Sequence, residues 1–310
     1  PRHTEIRRKA ALSFTNRHVQ RLRPRVQEVV DEHLDTMLAM TPPVDFHRVF
    51  SLSVAMSVIS EMLGVPRSDH AIFIHHGEVL LGGDASHEER QTAIVELNKY
   101  IENLIRVKEV APGDDLLSRV IADYRESGEQ YTNRELFNMF RLLMNGGHET
   151  TASMLSLGTA CLLDNPEQLA ELRADPEGVI GSAVEELMRI ASISDNAVPR
   201  VAMEDIEIGG TVIPQGDGIL CLILAGNRDP EVFPEPEKVI LRRGSRKQLG
   251  FGHGLHHCIG ADLARLEMRT AWTTLFDRVP TLRLAKPFDE IPRKEGAIVY
   301  GVKELPVLWD

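Results

Sequence analysis

Basic charge is in deficit in this 310-residue chain. Thirty-five Lys and Arg stand against 46 Asp and Glu, a formal net charge of −11. A nucleic-acid binder is normally basic, so that class is excluded for the molecule as a whole. A local basic patch for an acidic protein is not. Cysteine is scarce: there are three, with no CxxC pair. That rules out a disulfide framework and fits a reducing, cytoplasmic setting. Long apolar runs are missing as well. The longest, Gly218–Gly226 (GILCLILAG), is strand-sized, well short of the roughly 18 residues of a membrane span. There is no internal repeat, no low-complexity tract, no clear interdomain linker and no flavin or iron–sulfur motif. No secretory signal is seen. The opening residues, PRHTEIRRKA, lack Met and already carry helical spacing. They predict a piece of a longer chain.

What is present reads as a globular protein: 43% hydrophobic and 26% charged residues, ordinary values for a soluble domain. Helical spacing covers 4–40, ending at Thr41-Pro42-Pro43, and 46–63, closed by Gly64-Val65-Pro66. It returns over 88–109 and 114–127, while 67–88 is mixed, with a Gly82-Gly83 break. Thr132 and Glu135 have capping-box spacing, and the next strong stop is Asn165-Pro166. About thirty residues at 1.5 Å rise predict a rod of about 45 Å, apolar on most faces and therefore interior. A helix carrying Glu186 starts at Asp175-Pro176. After Ser192 the texture turns to short strand-like pieces at 198–203, 206–213 and 218–224. A Gly-rich loop, 250–257, feeds a last helix over 258–278, and strand-like segments at 281–285 and 297–308 close the chain. One large helix-rich unit with a small β region is expected.

Three places can carry chemistry. In Phe251–Arg265 (FGHGLHHCIGADLAR), Cys258 falls where loop becomes helix. There unpaired N–H groups and the helix dipole favour a thiolate. Gly252 and Gly254 permit a tight turn beneath a flat ligand, and Gly260 keeps the first helical turn bare. Phe251 is placed to pack beside the sulfur. A lone cysteine in such a place is ordinarily a buried structural residue; the surrounding pattern argues otherwise. Zinc is a second reading of His253, His256, His257 and Cys258, but a tetrahedral site usually draws ligands from two separated segments, and no partner pair exists. The second place is Gly146-Gly147-His148-Glu149-Thr150-Thr151, inside the long helix. Two adjacent glycines there cost roughly 1 kcal/mol each relative to Ala. Either close helix packing explains them, or a local opening over a ligand. The third is Glu186 with Arg189, an i,i+3 pair that in isolation is surface decoration.

In this order, GGHET, ExxR and FGxGxHxC, the three motifs resemble the cytochrome P-450 family of haem-thiolate monooxygenases. The soluble bacterial type is the nearest likeness, as HTEIRR and NRDPEVFPEP also indicate. The resemblance runs from Pro1 to Trp309 and is strongest from Arg134 to Arg269. It implies a mainly α fold with a small β region, in one large domain over 1–310 that lacks the family's N-terminal helices and strands. It implies haem b with Cys258 as the axial thiolate ligand of iron, shielded by Phe251. Thr150 and Glu149 match the distal hydroxyl and acid that deliver protons to bound dioxygen, and Gly146 and Gly147 the small residues that make room for it. Glu186 and Arg189 match a buried structural pair. His3, Arg7, Arg200 and His256 match the partners of the haem propionates. The expected reaction inserts one oxygen atom into an apolar small molecule, with electrons from NAD(P)H through a ferredoxin and its reductase. Arg242, Arg243, Arg246 and Lys247 offer a docking patch. Ile193–Val198, the 70–90 region and Leu142–Asn145 are expected at the substrate pocket, with Asp195 and Asn196 as its polar members. A peroxide-driven or isomerising haem-thiolate enzyme, and a haem-binding protein without turnover, are the competing readings.

Overall fold

A computed structural model describes residues 2–81, 85–128, 132–193, 199–294 and 297–310. The expected helix over 4–40 is three: Arg2–Ala11 (α1), Asn16–Arg21 (α2) and Arg23–Leu38 (α3). Thr15 is extended, at φ −61° and ψ 145°, and caps α2. Pro24 has no N–H to continue a helix from upstream and sits in the first turn of α3. Val44–Asp45 (β1) follows, then a π-type turn, His47–Ser51, leads into Leu52–Leu63 (α4). Gly64 ends α4 in the left-handed region, φ +79°, with Val65 N–H donating to Ser60 O at 2.8 Å.

Next come His70–Leu81 (α5), His87–Val110 (α6) and Leu116–Ser127 (α7). Ser86 and Glu89 form a reciprocal capping box at the start of α6, and Asp115 caps α7. The long helix is Asn133–Asp164 (α8), 32 residues, or about 48 Å. Thr132 and Glu135 cap each other at 3.1 and 3.2 Å. Pro166–Ala174 (α9) and Pro176–Ile190 (α10) each begin on a proline, whose missing N–H is unneeded in a first turn. The strand-like region yields Arg200–Val201 (β2), Ile206–Ile208 (β3), Thr211–Ile213 (β4) and Gly218–Ile219 (β5). Part of the apolar run after it curls into one helical turn, Ile223–Gly226 (α11). The last helix is Ala261–Arg278 (α12), followed by Arg283–Leu284 (β6) and Pro306–Leu308 (β7). All pairing is antiparallel: β1-β7-β6, β2-β5 and β3-β4.

The core gathers around α8, which packs on α4, α6 and α12. Trp272 of α12 is fully buried and donates from its indole N–H to Thr159 Oγ1 at 3.1 Å. Gly158 lets the two helices close on that ring: a Cβ there would lie 2.3 Å from Trp272 Cζ2. Gly158→Ala is therefore expected to cost about 1–3 kcal/mol through overpacking, read as a melting temperature several degrees lower. An unchanged melting curve would disprove this contact. Among the described residues no helix is long and apolar enough to cross a membrane.

Candidate active site

The cysteine loop is shaped by its own backbone. Cys258 N–H donates to Phe251 O at 2.8 Å, Gly252 N–H to Leu249 O at 2.8 Å, and His257 N–H to Gly254 O at 3.0 Å. Gly252 and Gly254 have φ of +71° and +73°, values that a side chain would strain. Helix α12 starts at Ala261, with Gly260 as its N-cap. Cys258 thus belongs to the loop rather than to the helix's first turn, contrary to expectation, because its N–H is held by Phe251 O and the helix begins only after Gly260. The Cys258 side chain is exposed. Crowding by surrounding atoms pushes its thiol up; the Gly260 N–H, Arg7 and Arg265 pull the other way without reversing it. The free thiol is therefore not the thiolate that helix position alone predicts.

Helix α1 docks on this loop. The rings of His3 and His256 lie 4.3 Å apart, centroid to centroid, and Arg7 donates to His257 O. Desolvation, then His256 and Arg7, lower the pKa of His3. Phe251 is buried, with the Arg265 guanidinium 4.4 Å over its ring. Arg200 is exposed on β2, opposite Ile219 of β5.

On α8 the glycine pair divides. An added Cβ at Gly146 would meet nothing within 4 Å, whereas one at Gly147 would lie 2.4 Å from Ile59 of α4. Gly147 thus packs closely against α4, which is the helix-packing alternative for this pair. The helix runs unbroken through both. In place of the expected opening, the Thr150 hydroxyl donates to Gly146 O. Glu149 is buried and ion-paired with Lys294, a residue that no motif indicates. Burial pushes the Glu149 carboxyl up, but the charge and hydrogen bond of Lys294, then His148 and His47, hold it below the ordinary carboxylate range. His148 Nδ1 meets Met144 O at 2.9 Å, and Gly77 of α5 leaves room for its other nitrogen.

Glu186 and Arg189 are both buried on α10. Arg189 bonds both carboxylate oxygens at 2.8 Å and three backbone carbonyls, of Asn227, Pro236 and Lys238. Arg243 joins them, its Nε 3.1 Å from both Glu186 oxygens, and Arg242 is paired with Glu171 and Asp175. Those two are therefore occupied within the fold, which narrows the expected docking patch to Arg246 and Lys247, both exposed. The pocket assignments over 194–198, with Asp195 and Asn196, and at Gly82-Gly83 lie outside the described residues. Leu142 is 72% exposed.

The donor set fits a haem. A thiol opens outward, Gly146 leaves empty space, the large apolar side chains Leu142 and Leu255 stand uncovered, and His3, Arg7 and His256 supply polar edges. One thiol loop, one long interior helix and one buried Glu–Arg clasp in a single helical body define an oxygen-activating class of enzyme.

The comparisons narrow that class. The cytochrome P450 family model matches residues 86–281. Pentalenic acid synthase of Streptomyces avermitilis is 45% identical over 309 residues, spanning 100% of this chain and 76% of that protein. Cytochrome P450 MoxA from Nonomuraea recticatena superposes with a TM-score of 0.92 at 44% identity, covering 100% of this chain and 76% of that one. Mycinamicin VIII C21 methyl hydroxylase MycCI from Micromonospora griseorubida, at 37% identity and the same full coverage, has a TM-score of 0.94 over 78% of its length. The chain belongs to the cytochrome P450 family and is a monooxygenase of the bacterial type.

Proposed function

We propose that residues 1–310 form a P450 domain that binds haem b through Cys258 and uses dioxygen to hydroxylate or epoxidise a medium-sized apolar molecule. The observation that carries this reading is the cysteine loop itself. It holds an outward thiol at a bend fixed by Phe251 O and Gly260, with α1 docked against it. The hydroxylase MycCI among the structural neighbours supports hydroxylation as the reaction. Bound haem supplies the iron at which dioxygen is activated.

The chain's own residues do the rest. Cys258 Sγ loses its proton as metal binds, and Arg7, Arg265 and the Gly260 N–H favour the resulting charge. His3, Arg7, His256 and Arg200 would hold the propionates of a bound haem. Gly252 would let the loop approach it closely, and Gly146 would leave room for dioxygen. The Thr150 hydroxyl already donates to Gly146 O, so its Oγ1 lone pairs are turned to accept a proton donor. Glu149 is the charge next to it along the proton route.

Electrons reach this site from NAD(P)H by way of a ferredoxin and its reductase, as the likeness to bacterial P450 enzymes supports. Arg246 and Lys247 contribute to the docking face in a cytoplasmic setting. The dithionite-reduced protein, with and without carbon monoxide, tests the assignment. A strongly red-shifted Soret band is expected. A band at the ordinary histidine- or thiol-ligated position would overturn thiolate ligation by Cys258.

A further inference from the structure

We infer that Lys294 is a positioning residue: it tethers the Glu149 carboxylate to the closing hairpin. This rests on the reading of Glu149 as a proton-steering acid. Lys294 reaches α8 from the opposite end of the sequence, across 145 residues. Its backbone N–H donates to Gly301 O at 2.9 Å and Lys303 N–H donates to Pro292 O at 2.8 Å, so it sits on a short hairpin. Gly301 presses that hairpin onto α8; a Cβ on it would lie 2.7 Å from Ser153 Oγ. One helical turn separates Ser153 from Glu149, so the hairpin is pinned where the ammonium meets the carboxylate.

The far side of the ammonium is fixed as well. Lys294 Nζ lies 3.4 Å from His47 Nε2, and an ammonium can only donate. His47 Nε2 must therefore accept, which places the ring proton on Nδ1. That nitrogen lies 2.8 Å from Ser156 Oγ, and the Ser156 hydroxyl donates on to Ser51 Oγ at 2.9 Å. Burial first, and Lys294 second, push His47 down to about 4, so it is a neutral acceptor at pH 7 and does not compete for Glu149. The groups facing Glu149 are Lys294 from the hairpin, His47 from the turn before α4 and His148 from its own helix; Asp45 of β1 acts on His47. Among the described residues, only Lys294 bonds the carboxylate. Without it, burial is left largely unopposed and the neutral acid is favoured.

The test is infrared spectroscopy of the whole chain, with Glu149→Gln identifying the carboxyl band. The native protein should show an ionised Glu149 at pH 7, and Lys294→Met a protonated one. Lys294→Arg should restore the ionised form, which general loss of packing would not. Should the Met variant fail to fold, Lys294→Gln carries the same expectation. In the haem-loaded enzyme, product formed per NAD(P)H consumed should fall at least about ten-fold in the Met or Gln variant, because a carboxyl held neutral cannot take up the next proton it is to pass on. An ionised Glu149 in the Met or Gln variant would overturn the tether. A protonated Glu149 with unchanged product yield would uphold the tether and overturn the relay role of Glu149.

Discussion

Cys258→Ser is expected to remove the red-shifted carbon monoxide band and to cut product formation at least about a thousand-fold, equivalent to about 4 kcal/mol in the barrier. The alcohol of serine does not ionise as a thiol does, and its oxygen donates far less electron density to iron than a thiolate. The fold should survive. The loop's bend is fixed by the backbone of residue 258, whose N–H donates to Phe251 O, and the side chain itself is exposed. Helix α12 begins beyond it, at Ala261. Far-ultraviolet circular dichroism and the melting temperature should thus stay at the native values while the spectrum and turnover are lost. A serine variant that kept the red-shifted band would remove Cys258 from the iron.

Local signals in the sequence were enough for the framework. Thr132 and Glu135 mark the start of α8 because a capping box is satisfied within four residues. Asn165-Pro166 and Asp175-Pro176 mark α9 and α10 because proline suits a helix's first turn and not its interior. The motif residues are legible because turns at positive φ demand Gly252 and Gly254. What could not be read depends on distant partners. Gly146 and Gly147 are identical neighbours in sequence, and only Ile59 of α4 distinguishes them. Glu149 as an isolated letter is a free acid; Lys294, on a hairpin that no motif marks, makes it an ion pair. Arg242 and Arg243 read as part of a docking patch, yet one closes on Glu171 and Asp175 and the other on Glu186. An i,i+3 Glu–Arg pair reads as surface decoration because burial, which gives it meaning, is set by what packs over α10.

That burial makes Arg189→Ala the most damaging change away from the iron, with an expected loss of about 3–5 kcal/mol, the usual result of breaking a buried pair. All five guanidinium N–H groups are used: two on the Glu186 carboxylate, and three on the carbonyls of Asn227, Pro236 and Lys238. Alanine would leave three carbonyls without that donor and Glu186 with Ile240 N–H and Arg243 alone. Removing the charge from the other side should be milder. In Glu186→Gln the amide oxygen still accepts, and Arg189 keeps its three carbonyls. The loss should reach the cysteine loop along a short route. Asn227, whose carbonyl Arg189 holds, accepts Leu249 N–H through its side chain at 2.7 Å. Leu249 O in turn fixes Gly252 at the first bend of the cysteine loop. The neighbouring acid, Glu185, supports the same loop through Gln248 at 3.0 Å and Arg265 at 2.6 Å. Helix α10 therefore grips the loop at two points, and Arg189→Ala releases one of them. Faster amide exchange at Leu249 and Gly252 should accompany the lowered denaturant midpoint, while amides in α3 and α4 change only with global stability. A midpoint within about 0.5 kcal/mol of native, the range of an ordinary surface substitution, would show that the clasp is not what holds the loop.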